Sequence, residues 1–189
     1  MLAAKGNRQH VGALLKASRV IDAVNDWFGR LAVWLVLFAC MISTANAISR
    51  YAFSESSNAW LEVQWYMFAA MVFLGAPYVL KVNEHVRVDV IYSSLPLRAR
   101  IWIDIAGCVL CLLPLCIVML YFTWPWFLDS WRIGEASSNA GGLIRWPVKL
   151  MLPLGFFLLA LQGVSELIKR IAALNDSYQL EYRYEIPLQ

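Results

Sequence analysis

Residues 101–122 read IWIDIAGCVLCLLPLCIVMLYF, an apolar run interrupted by one acid, Asp104. An α-helix needs ~20 mainly apolar residues to cross ~30 Å of hydrocarbon at 1.5 Å per residue, and this run is long enough. Two similar runs precede it, at 60–80 (WLEVQWYMFAAMVFLGAPYVL) and 31–49 (LAVWLVLFACMISTANAIS). A fourth follows at 148–168 (VKLMLPLGFFLLALQGVSELI). Little else in the 189 residues is long enough to fold as a separate domain. The composition agrees: 60% of residues are apolar and the mean hydropathy is +0.57, against ~45–50% apolar in soluble domains. The expected fold class is an all-α integral membrane protein with four transmembrane helices. Its expected division is a tail with an amphipathic helix (residues 1–30), a four-helix transmembrane bundle (31–171) and a C-terminal tail (172–189).

Charge sets the expected orientation. An even number of crossings puts both tails and the 81–100 loop on one side. That side carries most of the 16 Lys and Arg, and only Arg50, Arg132, Arg145 and Lys149 fall on the other. The positive-inside rule then makes both termini cytoplasmic. Trp60, Trp124, Trp126, Trp131 and Trp146 gather near the outer ends of the spans, with Trp27 and Trp102 near the inner ends, as an interfacial belt requires. The net charge of +3 is spread over tails and loops. That distribution favours anionic lipid headgroups over nucleic acid as partners.

The N-terminal segment admits two readings. Leu14, Ile21, Val24 and Phe28 recur at helical spacing, with Lys16, Arg19 and Asp26 elsewhere on the wheel. This fits an amphipathic helix on the inner leaflet or a plain extension of the first span. Ala45-Asn46-Ala47 imitates a signal-peptide cleavage site, but the charged leader of some thirty residues is too long for one, so 31–49 is read as an uncleaved span. Proline in Gly75-Ala76-Pro77 should kink the second span. The aromatic 124–131 segment is expected to lie in the outer interface. The small polar stretch 135–142 is expected to be mobile without a partner.

Candidate chemistry is sparse. All four cysteines, Cys40, Cys108, Cys111 and Cys116, lie within spans, so a structural disulfide in a loop is not expected. Cys108-Val109-Leu110-Cys111 resembles the reactive pair of a membrane thiol oxidase of the DsbB kind. Such an enzyme needs that pair near the periplasmic face and a second pair in a loop to relay electrons. Here the pair starts about 10–15 Å in from the cytoplasmic side, and a thiol in hydrocarbon resists forming a thiolate. Neither His10 nor His85 lies in a span to ligate haem, and no cluster suggests a metal. Glu62, Asp104, Lys149 and Glu166 are the ionisable groups in or near spans, and each is a functional hypothesis by default. None sits at the midplane, where a stand-alone exporter would need an acid. An Arg50–Glu62 pair across the outer hairpin is one expectation. Asn46, Gln64 and Gln162, among small residues such as Gly155 and Gly163, suit close helix packing.

The loop after the second span carries the most specific pattern: Leu74-Gly75-Ala76-Pro77, then Glu84-His85-Val86-Arg87-Val88-Asp89. With Arg50-Tyr51, Glu62 and Gly141-Gly142-Leu143-Ile144-Arg145-Trp146-Pro147, this ordered set resembles the DctQ family, the small membrane subunit of tripartite ATP-independent periplasmic (TRAP) transporters. The resemblance implies a non-catalytic small permease subunit in a bacterial inner membrane, without cofactors of its own. Its implied partners are a large many-helix membrane subunit and a periplasmic substrate-binding protein. The large subunit would carry sodium ions and an organic carboxylate by an elevator motion, and this chain would scaffold it and help dock the binding protein. Only structural roles carry over. Glu84, His85, Arg87 and Asp89 would brace the inner turn, and Arg50, Glu62 and Gln64 would brace the outer hairpin or the subunit contact.

Overall fold

The computed structural model describes residues 2–55, 57–83, 95–175 and 178, with side chains from residue 12 onward. Its helices are α1 (Leu2–Phe53), α2 (Asn58–Val82), α3 (Leu97–Gly107), α4 (Leu113–Ile133) and α5 (Trp146–Leu174). A π-helical turn, Cys108–Leu112, joins α3 to α4 in one continuous helix. Among the described residues, four segments are long and apolar enough to cross a membrane: Gly12–Phe53, Asn58–Val82, Leu97–Ile133 and Trp146–Leu174. Glu84, His85, Arg87 and Asp89 lie outside the described residues.

Helix α1 runs without interruption from the leader into the first apolar run. The reason is the buried face. Ser18, Asn25, Gly29, Ala32 and Ala39 are buried in succession at spacings of seven, four and three, a seam of small residues that passes the expected boundary at 30. Leu14 and Val24, which suggested an amphipathic surface helix, face outward.

Helix α2 begins where the Ser57 hydroxyl accepts the Ala59 amide at 3.3 Å. It continues through the buried Pro77 and stops at Asn83, which takes the left-handed conformation (φ 64°). The π turn lies just before Pro114, whose ring would collide with the carbonyl four residues back. Widening the helix there relieves the conflict. The same helix does not stop at 122 but runs through the aromatic segment to Ile133, ended by Gly134 at φ 61°. The connection to α5 is therefore only residues 134–145.

Helix α5 is the centre of the molecule. It packs against α1, α2 and the α3–α4 helix, whereas the α3–α4 helix packs chiefly on α5 alone. Helices α1 and α2 run antiparallel, since Gly29 meets Tyr78 while Ala32 meets Gly75, whereas α2 and α5 start at the same end; on the α3–α4 helix, Cys108 and Leu112 both reach Gly163. Ala70, Leu74 and Leu158 form the apolar core, flanked by Phe28, Leu31, Leu35, Met151 and Leu154. The backbones approach closely where α5 crosses α2: a Cβ on Gly155 would stand 2.6 Å from Phe73 Cβ and 2.7 Å from its carbonyl oxygen.

Candidate functional site

Two polar constructions stand at opposite ends of these helices. The first lies at the end holding the start of α1 and the close of α5. About two and a half turns of α5 place Gln162, Ser165, Glu166, Lys169 and Arg170 on its inner side, and all five are buried. Lys169 Nζ donates to Asp22 of α1 at 2.7 Å and to Glu166 at 2.9 Å. Arg170 Nε donates to Asp104 of α3 at 3.0 Å, and its Nη1 pairs with Glu166. Gln162 spans the two helices: its Nε2 donates to Asp22 (3.0 Å) and Glu166 (3.1 Å), and its Oε1 accepts the Asn25 amide at 2.7 Å. Those two carboxylates fix which way the Gln162 amide points, because a carboxylate only accepts. Ser165 donates to Asp22 at 2.9 Å, with the Ser18 hydroxyl 2.7 Å away. The small side chains of the α1 seam let these partners approach. Asp26 of α1 also pairs with Lys81 of α2 at 2.5 Å.

The second construction is at the other end. Glu62, in the first turns of α2, is 3% exposed, yet no ion pair joins it to Arg50, which is exposed on α1. The carboxylate instead grips the 134–145 loop. It accepts the Ser137 hydroxyl, the Asn139 side-chain amide at 2.9 Å and the Leu143 backbone amide at 2.7 Å. Asn58 donates to the Ala140 carbonyl at 3.0 Å and Tyr66 to the Ile144 carbonyl at 3.1 Å. Within the loop, Ala136 and Ile144 pair as an isolated antiparallel bridge, and Gly141 turns the chain at φ 69°. The stretch expected to be mobile is thus ordered by its own chain. Glu135 pairs with Lys149 and lies 3.6 Å from Arg145. The Lys149 hydrogen bond holds the Glu135 carboxyl below the ordinary glutamate range, and the same ammonium sits 4.3 Å over the Trp126 ring.

Of the residues singled out from sequence, Glu62 is at the centre of the second construction. Gln64 is buried on the same helix, with its Nε2 unpartnered among the described residues. Asp104, Lys149 and Glu166 all enter networks. Cys108 and Cys111 sit in the π turn, the first against the Gly163 carbonyl at 3.4 Å and the second exposed on the outer side of the helix; both are free thiols. Asp22, Asn25, Lys169 and Arg170 are not among the residues singled out. For Lys169 and Arg170 the sequence holds a signal, Gln162-x-x-Ser165-Glu166-x-x-Lys169-Arg170, which places acids and bases three and four apart on one helical face; for Asp22 and Asn25, on α1, it holds no local one. Among the described residues no group of His, Cys, Asp and Glu could hold a metal ion.

Residues 39–173 match the family described as "Tripartite ATP-independent periplasmic transporters, DctQ component". The chain is 27% identical over 163 residues to the ectoine TRAP transporter small permease protein TeaB of Halomonas elongata, an alignment covering 84% of this chain and 83% of that one. It is 33% identical over 87 residues to the C4-dicarboxylate TRAP transporter small permease protein DctQ of Vibrio cholerae, covering 46% and 37% respectively. No solved structure matches.

Proposed function

We propose, from the premise that this chain belongs to the DctQ component family of tripartite ATP-independent periplasmic transporters, that it is the fixed scaffold of its transporter. As a transport component it is not a catalyst. The proposal is that it holds the large, moving membrane subunit in place, that uptake is coupled to sodium ions bound in that partner, and that the solute is an organic carboxylate. A relative named for C4-dicarboxylate supports the last point. A relative named for ectoine keeps the range of solutes open.

One observation carries the scaffold reading. The buried charges of α1, α3 and α5 are spent on one another, tying the helices together. A path for solute or ions would instead need polar groups facing a cavity. Outward, the helices offer apolar side chains such as Val33, Trp34, Phe68, Val72, Leu110 and Ile117, suited to a partner helix or to lipid. The proposed orientation puts both termini in the cytoplasm of a bacterium with this chain in its inner membrane, and the excess of cations at that end supports it. The 134–145 loop then faces the periplasm, where its fixed shape suits it to help dock the substrate-binding protein. The proposed bracing residues are Arg50, Glu62 and Gln64 at the outer end, and Glu84, His85, Arg87 and Asp89 at the inner loop. The proposed division is 1–30, 31–171 and 172–189, with one helix running from Leu2 through the boundary between the first two.

The test is assembly and flux measured together. Expressed with its large partner, the chain should co-purify one to one, and in liposomes by itself it should move no solute. Solute accumulation by the lone chain would end the reading. Asp89→Ala and Glu62→Ala should weaken assembly without altering which solute is preferred.

A further inference from the structure

A groove of about 480 Å³ opens between the start of α3 and the close of α5, lined by Arg98, Trp102, Ile105, Ile171, Leu174 and Asn175. Arg98, Trp102 and Ile105 stand four and three residues apart, so they form one stripe of α3 descending about 10 Å from the helix end. On the facing helix, Asn175 lies at the end of α5, with Leu174 and then Ile171 below it. Polarity is therefore graded: Arg98 and Asn175 at the rim, an indole one turn down, and aliphatic side chains beneath.

The rim has charge to spare. Arg170 is occupied by Asp104 and Glu166, and Arg100 donates to the Leu95 carbonyl. Arg98 is exposed and has no carboxylate partner among the described residues. It also stands in the first turn of α3, where Pro96 supplies no capping side chain. The first amides of a helix lack intrahelical acceptors and favour a negative charge.

We infer that this groove is a binding site for one anionic phospholipid, with the phosphate at Arg98 and the α3 N-terminus and an acyl chain along Trp102, Ile105 and Ile171. The graded lining and the exposed Arg98, without a carboxylate partner among the described residues, select this occupant. A partner's apolar helix would leave Arg98 unmatched, and a zwitterionic lipid would gain less from it. Basic pockets between transmembrane helices on the cytoplasmic side hold anionic headgroups by the same charge pairing. The inference goes beyond the scaffold role, and its test reads lipid retention rather than assembly or transport.

The experiment uses the full chain in detergent, stripped of lipid, given equal phosphatidylglycerol and phosphatidylcholine, and weighed by native mass spectrometry. Phosphatidylglycerol should be retained about fivefold over phosphatidylcholine, the preference expected from a single cation near a headgroup. Arg98→Gln should abolish the preference, and Ile171→Trp should reduce retention of both lipids by filling the groove. Arg19→Gln, which removes an exposed cation from α1, should leave the preference intact. Equal retention of the two lipids, or an Arg98→Gln chain that still prefers phosphatidylglycerol, would overturn the site. Retention seen only after removing residues 176–189 would assign the groove to the chain's own tail. Loss of the bound lipid on assembly with the large subunit would assign it to that partner, and either result also defeats the inference.

Discussion

The two ends of this molecule are both held by carboxylates, but in opposite ways. At the end where α1 begins, Asp22, Glu166 and Asp104 meet Lys169 and Arg170, side chain to side chain across three helices. At the other end Glu62 accepts from a backbone amide and two short polar side chains of a loop. The first arrangement fixes helices relative to one another, and the second fixes a surface. A buried charge left without its partner costs far more than the pairing itself gains, so damage at the first end should spread through the membrane-spanning core. Damage at the second should stay in the loop.

The largest effect tests that contrast directly. Arg170→Met leaves Glu166 and Asp104 short of a partner in an apolar setting, and should cost about 3–5 kcal/mol, read as a lower midpoint of unfolding in mixed detergent. Replacing Arg170, Glu166 and Asp104 together by uncharged residues of similar size should cost much less, because no charge is stranded. If the triple replacement were as harmful as the single one, the network would owe its strength to packing rather than charge, and the contrast between the ends would fail.

Between the ends the helices are held by neither device. Gly155→Ala forces a methyl against Phe73, with 2.6 Å available to its Cβ. Overpacking of this kind costs about 1–3 kcal/mol, so the unfolding midpoint should fall by less than with Arg170→Met. An equal or larger fall would make the α2–α5 crossing, not the ionic end, the principal fastening.

Glu62→Gln comes next, and its effect should be local. The amide still accepts one or two hydrogen bonds but loses the charge and presents a donor to the Ser137 and Asn139 donors. Proteases should cut the 134–145 loop severalfold faster while the unfolding midpoint hardly moves. A large drop in the midpoint would show that the loop end is as integral to the core as the other.

How much of this was legible follows the same division. The four crossings could be read because each is a continuous apolar run, and length alone decides them. The ends of the helices could not. Residues 123–133 contain Thr123, Pro125 and three tryptophans, which look like an interfacial loop. Yet Thr123 returns its hydroxyl to the Met119 carbonyl at 2.7 Å and the helix carries on. The leader is hard to read for a related reason. Its buried face carries Ser18 and Asn25, which meet polar partners on α5, while Leu14, Val20 and Val24 are exposed beside Lys16 and Arg19. Glu62 was noticed as an acid in a span, but its partners lie 75 to 81 residues away in sequence. No local pattern connects an acid to a loop at that distance. The Lys169-Arg170 pair follows a span, and its burial depends on α1 and α3 closing over it, which no local pattern announces.

The smallest effect is one of pH, and it separates the two acids of the loop end. Glu135 lies outside the spans, and the hydrogen bond from Lys149 keeps its carboxyl below the free value of 4.5. A group whose folded pKa is depressed adds stability that is full above the unfolded value and disappears as pH falls through the folded one. Protection of the 134–145 amides in hydrogen exchange should therefore stay level from neutral pH down to about 5 and weaken below that. Glu135→Gln should remove its part of this dependence while leaving any part owed to Glu62, so the difference between the two chains isolates Glu135. Because Glu135 is held by one close cation at the surface, where ion pairs contribute little, that difference should be smaller than the change produced by Glu62→Gln. Identical profiles for the two chains would mean that Lys149 is positioned by the Trp126 ring alone, and that the loop hangs on Glu62 without help.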